Sequence, residues 1–155
     1  MDSKKLEARL QLHEQWVEDA RKGEQLHLKN EVLVGLHFRR RNLQYACFDK
    51  CFLMLSNFYM SNLYFARFPG CHLQGALFRN NKMEHADFTN VNLQSTDFSG
   101  SDIWHTRFNH ANLENAKFTK LISNFRNEDF LGANLKNTLL PEGAKNWIEY
   151  LENKR

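Results

Sequence analysis

The sequence predicts a solenoid, a tube of short repeats wound around one continuous core, and three observations predict it. A bulky apolar residue stands at every fifth position, and its kind alternates: Leu33, Phe38, Leu43, Phe48, Leu53, Phe58, Leu63, Phe68, Leu73, Phe78, Met83, Phe88, Leu93, Phe98, Ile103, Phe108, Leu113, Phe118. A helix repeats about every 3.6 residues and a strand every second one, so neither gives a period of five. The residue two before most centres is small, as at Ala46, Cys51, Ser56, Ala66, Ala76, Ala86, Ala111 and Ala116. The residue just before is Asp or Asn in about half the units, among them Asn42, Asn57, Asn62, Asp87, Asn92, Asp97, Asp102 and Asn112. A fixed short period marks units that bury their apolar faces only by stacking on their neighbours.

Residues 1–30 read as a capping helix and a linker. Across 4–22, Leu6, Leu10, His13, Val17 and Ala20 fall on one face at helical spacing, with Trp16 on its flank. Ser3 is the expected N-cap and Gly23 the expected stop.

Residues 31–140 hold the repeats. The clearest units are Ala86-Asp87-Phe88-Thr89-Asn90 and Ala111-Asn112-Leu113-Glu114-Asn115. This pattern resembles the pentapeptide-repeat family, whose unit is A(D/N)LXX. The resemblance implies a β solenoid, a right-handed quadrilateral β-helix of about five coils, with four units to a lap of twenty residues. In such a lap the centre and the small residue two before it point inward, a large group beside a small one as close packing requires. Asp or Asn suits each tight corner, where its side chain bonds nearby backbone. Alternating Leu and Phe then place Phe ladders on two opposite walls. The stretch His13-x-x-Trp16 followed by Gly23 also looks like the N-terminal helices of some family members.

The lattice slips by two residues after Phe118, with a bulge or short loop near 119–124, and resumes at Phe125, Phe130, Leu135 and Leu140. In the first coil Glu31, Leu36 and Arg41 replace the small inward residue. An unpaired charge inside the tube is costly, so either that corner is distorted or Arg41 reaches toward the N-terminal cap. Residues 141–155 predict a C-terminal helix, with Ala144, Trp147, Ile148 and Leu151 on one face and Pro141 at its start. It caps the open coil or, in the family, serves a homodimer.

Composition narrows the function classes. The 155 residues carry a formal charge of +3, which neither demands nor excludes an anionic partner. No apolar run approaches the roughly 18 residues that span a bilayer, and the polar N-terminus lacks a secretory segment. Three cysteines with no CxxC spacing argue against a disulfide framework or a zinc cluster. A soluble, cytoplasmic chain without membrane contact is the expectation. Cys51 and Cys71 point inward as small core residues or, in a second reading, as a disulfide, and Cys47 points outward as a free thiol. Asp87, Asp97, Asp102 and Asp129 sit at turns and converge on no cleft. With no phosphate-cradling loop, no nucleophile elbow and no triad, an enzyme is not expected, nor a cofactor.

Residues twenty apart become vertical neighbours, so surface columns follow from the numbering. The Leu43 wall carries Tyr45, Tyr64, Phe65, Glu84, His85, Trp104 and His105, and the adjoining Phe38 wall carries Arg39, Arg40, Tyr59, Met60 and Arg79. Exposed aromatics beside arginines mark a binding surface. The candidate partner-binding residues are therefore Tyr45, Tyr59, Tyr64, Phe65, His85, Trp104, His105, Arg39, Arg40 and Arg79, unless a terminal helix covers them. The Leu53 wall, with Phe52, Met54 and Leu55, comes next. His85 and His105 lack a third ligand column, so no metal is expected. Trp147, Ile148 and Leu151 are the candidates for the cap or dimer contact.

Three functions are consistent with this surface. The first is a non-catalytic bacterial or phage interaction module with a protein partner. The second comes from the resemblance: some family members imitate DNA and bind DNA gyrase or a topoisomerase, and a host defence complex is a further target of that kind. That role needs a strongly negative rod, yet residues 31–80 hold six Lys/Arg against two Asp/Glu, and residues 81–120 hold four against five. The third is direct nucleic-acid binding through Arg39, Arg40, Arg41 and Arg79 beside the aromatic column.

Overall fold

The computed structural model describes residues 1–124, 126–141 and 144. In it the chain winds into a four-sided coil whose backbone pairs with itself one lap away. From Val32 to Asp97, parallel bridges join the residue just before each centre to the residue twenty positions on, as in Val32 with Phe52, Asn62 with Lys82 and Asp97 with Lys117. After Phe118 the step lengthens: Asn112 pairs with Asn134 and Lys117 with Leu139. Phe130 accordingly stacks on Phe108 at 4.8 Å. Phe125 lies outside the described residues.

Each side closes with a tight turn. The Ala46 N–H donates to the Leu43 carbonyl at 3.1 Å and the Ala86 N–H to the Met83 carbonyl at 2.9 Å. The residue two after each centre takes positive φ, for example +62° at Tyr45, +55° at Phe65 and +67° at Gly70, as a type II turn requires of its third residue. The Asp or Asn ahead of the centre bonds the turn as expected. Its Oδ1 accepts from the N–H two residues on, with Asp87 to Thr89 at 3.0 Å and Asp97 to Ser99 at 2.9 Å. It precedes the corner, however, and the corner itself belongs to the positive-φ residue. Asp129 departs from the pattern. It is 7% exposed and faces Arg126 at 3.6 Å.

The core is two ladders of stacked rings. Phe38, Phe58, Phe78, Phe98 and Phe118 lie one above the other with centroids 4.7 to 5.2 Å apart. Phe48, Phe68, Phe88 and Phe108 form the facing ladder at 4.7 to 5.5 Å. The two ladders meet edge to face, as at Phe58–Phe68 (6.0 Å, 88°). Stacked and T-shaped contacts of this kind each add about 0.5–1.5 kcal/mol beyond area burial. Every lattice centre from Leu33 to Phe118 is at most 1% exposed.

The ladder starts earlier than the Leu33 lattice suggests. Strand β1 (His27–Lys29) pairs in parallel with β2 (Cys47–Asp49), His27 opposite Cys47. Leu28 lies five before Leu33 and is fully buried, with Leu26 beside it. Cys47, at an outward position, is covered rather than free to solvent, at 7% exposure, and burial pushes its thiol up. Cys51 and Cys71 are free thiols. Their S–H groups donate to the Leu28 and Phe48 carbonyls at 3.4 and 2.9 Å.

Helix α1 (Ser3–Glu18) covers the N-terminal end of the coil. Its N-cap is Asp2, whose side chain accepts from the Lys5 N–H, so Ser3 is the first helical residue and not the cap. The helix ends at Glu18 with Asp19 as C-cap, short of Gly23. Leu6, Leu10 and His13 are buried, whereas Ala20 is exposed. Gly23 instead turns the chain back against the helix. It has φ +71°, and a Cβ there would fall 2.0 Å from the Leu12 carbonyl oxygen. Arg41 escapes the tube and reaches α1, where it pairs with Glu7 and, at 3.1 Å, with Glu14. Among the described residues no helix is long and apolar enough to cross a membrane. The C-terminal helix expected over 141–155, with Trp147, Ile148 and Leu151, lies outside the described residues apart from Pro141 and Ala144, the latter 5% exposed.

Two outcomes follow. Phe78→Ala removes a ring from the middle of its ladder and is expected to cost about 3–5 kcal/mol, read from chemical denaturation. His13 is fully buried and accepts from the Leu26 N–H at 3.0 Å. Burial pushes its imidazole down to about 4, whereas an unfolded chain protonates it near 6.5. The unfolded state therefore binds the extra proton as pH falls from about 6.5 toward 4, and about 3 kcal/mol of stability is lost across that window. Denaturation midpoints between pH 7 and 4 are expected to fall less steeply in His13→Gln.

Candidate interaction surface

The coil brings most of the predicted surface residues into one contiguous column. Positions 45, 65, 85 and 105 are successive corners on one edge, each at positive φ. Their side chains stack outside the tube as the phenylalanines do inside. Tyr45 lies on Phe65 at 5.6 Å, Phe65 on His85 at 4.6 Å, and His85 on His105 at 5.1 Å, all within 11° of parallel. The spacing follows the backbone ladder, because in-register parallel strands stand about 4.8 Å apart. Tyr64 stands at right angles to Phe65 at 4.6 Å, and Trp104 to His105 at 4.6 Å. Tyr45, Phe65 and Trp104 stay open, at 42%, 39% and 46% exposure.

Both ends of the column meet other parts of the chain. Trp16 of α1 meets Tyr45 edge to face at 6.3 Å, so the helix touches only the first rung. At the far end Arg126 Nη1 lies 2.8 Å from His105 Nδ1. Arg126 also pairs with Glu128 at 2.7 Å. Burial pushes the Asp129 carboxyl up against the opposing pull of Arg126. A cleft of about 380 Å³ opens here between the ring column and Arg67, Asp87, Arg107 and Asp129. Sequence reasoning missed this cleft, although the twenty-residue step already aligns 67, 87 and 107. The contact of Trp16 with Tyr45 is not legible in the sequence, because lattice arithmetic does not extend to α1.

The arginine wall is less unified. Arg39 covers the Tyr59 ring at 5.4 Å. Arg79 turns to Asp97 at 3.7 Å. Arg40 occupies the next corner at φ +57° and meets no carboxylate among the described residues. A second cleft, of about 370 Å³, runs beside it, lined by Arg40, Arg41, Asn42, Met60, Asn62, Asn80 and Lys82, with the buried Ser61 at its base. Trp147, Ile148 and Leu151 cannot be placed against this surface, since they lie outside the described residues. Among those residues no group of three His, Cys, Asp or Glu is set to hold a metal ion.

The pentapeptide-repeat family model matches residues 56–94 and 96–121, in eight copies. No curated protein matches the sequence. Among solved structures, a pentapeptide-repeat protein, Rfr23, from the cyanobacterium Cyanothece 51142 aligns over 81% of this chain and 88% of its own at 18% identity, with a TM-score of 0.58. HetL, a pentapeptide-repeat protein involved in heterocyst differentiation regulation in Nostoc sp. strain PCC 7120, aligns over 75% of this chain and 60% of its own at 19% identity, with a TM-score of 0.38. A trypsin-treated form of QnrB1, a plasmid-mediated fluoroquinolone resistance protein, aligns over 81% and 89% at 19% identity, with a TM-score of 0.40. The stretch 56–121 thus carries pentapeptide repeats, and the likeness to Rfr23 implies the right-handed quadrilateral β-helix.

Proposed function

We propose that this pentapeptide-repeat chain is a non-catalytic interaction module of bacterial or phage origin: a rod of about five coils that offers one rigid wall to a protein partner. The observation that carries the reading is the unbroken ring column Tyr45–Phe65–His85–His105, flanked by Tyr64 and Trp104. Aromatic side chains in a patch are typical interface anchors. Here the backbone ladder holds each ring before any partner arrives, so little side-chain entropy remains to be lost on binding. The cleft beside the column brings His85, His105, Asp87 and Asp129 together but is lined by no serine, threonine or cysteine, which favours a binding role over nucleophilic catalysis. The setting proposed is cytoplasmic, in keeping with three free thiols. A homodimer through Trp147, Ile148 and Leu151 belongs to the same proposal.

Imitation of DNA toward gyrase, a topoisomerase or a host defence complex is the alternative, and the outward columns weigh against it. Arg67, Asp87 and Arg107 alternate in sign up one wall, with Arg107 and Asp87 paired at 2.5 Å. A duplex repeats negative charge without interruption. Direct nucleic-acid binding is also less favoured, because bases need open ring faces to stack on. The inner rings of the column have both faces covered by their neighbours.

Replacing Tyr64, Phe65 and Trp104 together by Ser tests the reading. Affinity capture with the full chain is expected to return one protein partner, and the triple variant is expected to lose it while keeping the parent circular-dichroism spectrum and melting temperature. Retention of the partner by the folded triple variant rejects this wall as the contact surface.

A further inference from the structure

The cleft beside Arg40 has a charge character that narrows the partner. Arg40 and Lys82 line it, and neither has an ion-pair partner among the described residues. Lys82 pairs through its backbone with Asp102, but the Asp102 Oδ1 is held by the Trp104 N–H at 3.1 Å. Arg41 is already engaged by Glu7 and Glu14. The neutral lining also presents donors. Asn42 accepts through Oδ1 from Gln44 Nε2 at 2.9 Å. Asn62 accepts through Oδ1 from the Tyr64 N–H at 3.2 Å. Each of these two oxygens already accepts one internal hydrogen bond, and the amide N–H₂ groups remain for a ligand. A cleft of about 370 Å³ is therefore lined by two cations and by amide groups, the exposed Asn80 amide among them, and its lining contains no carboxylate.

The surroundings decide which anion fits. The positive patch is short: Glu84 and Asp102 stand on the same wall below it. A phosphate chain running along the wall would meet both. One or two carboxylates of a peptide fit within it. The neighbouring rings point the same way. Stacked on each other, they present their edges outward, and aromatic edges carry partial positive charge. Edges attract carboxylate and carbonyl oxygens, whereas nucleobases need faces.

From this arrangement we infer that the Arg40–Lys82 cleft takes the carboxylates of a short acidic, apolar segment of the partner protein, whose apolar residues lie along Tyr64 and Phe65. The inference rests on the ring wall being the contact surface. It deepens that reading by assigning the partner's chemistry.

The test uses the full chain and fluorescence anisotropy with three dye-labelled probes: a ten-residue peptide alternating Glu and Leu, the matched Lys/Leu peptide, and a twelve-nucleotide single-stranded DNA. The acidic peptide is expected to bind best, with affinity falling as salt rises. Arg40→Glu combined with Lys82→Glu is expected to weaken it at least tenfold. The equally charged control, Lys50→Glu with Lys117→Glu, is expected to change it less than threefold. Arg40→Gln with Lys82→Gln repeats the test without new charge, and melting curves verify folding of every variant. Equal weakening by the control pair, no weakening by the cleft pair, or tighter binding of the DNA overturns the inference. The Tyr64, Phe65 and Trp104 triple variant separates the two levels. If it loses the peptide while the cleft pair does not, the wall stands and the cleft assignment falls. If the cleft pair loses it while the triple variant does not, the cleft stands and the ring wall falls.

Discussion

Everything in this molecule depends on the fixed length of the lap. Twenty residues return the chain to the same wall, where backbone N–H and C=O groups pair with those of the lap before, from His27–Cys47 to Asp97–Lys117. A long run of backbone polar groups is thereby satisfied with few regular strands. One residue inserted within the ladder would move every later residue one place along its side and turn the inward centres out of the core. Where the chain does insert, after Phe118, it adds two residues outside the ladder and resumes pairing at a step of twenty-two. Phe130 then regains the Phe108 column.

The same constraint organises both faces of the wall. Inside, it stacks phenylalanines at 4.7 to 5.5 Å. Outside, it stacks Tyr45, Phe65, His85 and His105 at nearly the same spacing. The outer column thus follows from the core's periodicity and needs no separate packing device. Its cost lies in the backbone. Tyr45 and Phe65 sit at positive φ, a region that side chains with a Cβ enter at about 1 kcal/mol or more. Glycine holds corners elsewhere, as at Gly70, Gly75 and Gly100. Bulky side chains hold other corners too, as at Leu55 and Met60, and Tyr45 and Phe65 keep 42% and 39% of their surface in solvent.

How far the residue string discloses this arrangement depends on distance from the lattice. The centres, the inward small residues, the Asx bonds and the ring column all follow from counting by five and by twenty. Leu28 obeys the same count but is easily overlooked, because Leu26 stands where a small residue is expected. Cys47 occupies an outward position yet is buried, because local side-chain covering leaves no trace in a periodic pattern. The ends of α1 were misplaced for a similar reason. Asp2 and Ser3 are both good caps, and only the Lys5 N–H, bonded to Asp2, separates them. Gly23 carries a glycine signal that fits a helix stop equally well, although its actual role is set by the close Leu12 carbonyl. The cleft of Arg67, Asp87 and Arg107 was available from the count alone, but charges that alternate in sign attract less notice than a row of rings.

Arg41 shows how a violation of the repeat becomes a joint between parts. A guanidinium at an inward, small-residue position would cost several kcal/mol if sealed in the tube. At the first laps the tube is still open, so the side chain leaves it and bonds Glu7 and Glu14, seven residues apart on α1. Seven residues are close to two helical turns, which places both carboxylates on the face turned to the coil. The exchange also sets the character of the wall beyond. With Arg41 neutralised by the cap, the unpaired positive charge along that edge resides on Arg40 and Lys82, on the side where the rings begin. The cap therefore closes the end of the core and at the same time takes one arginine out of the cationic lining of the Arg40 cleft.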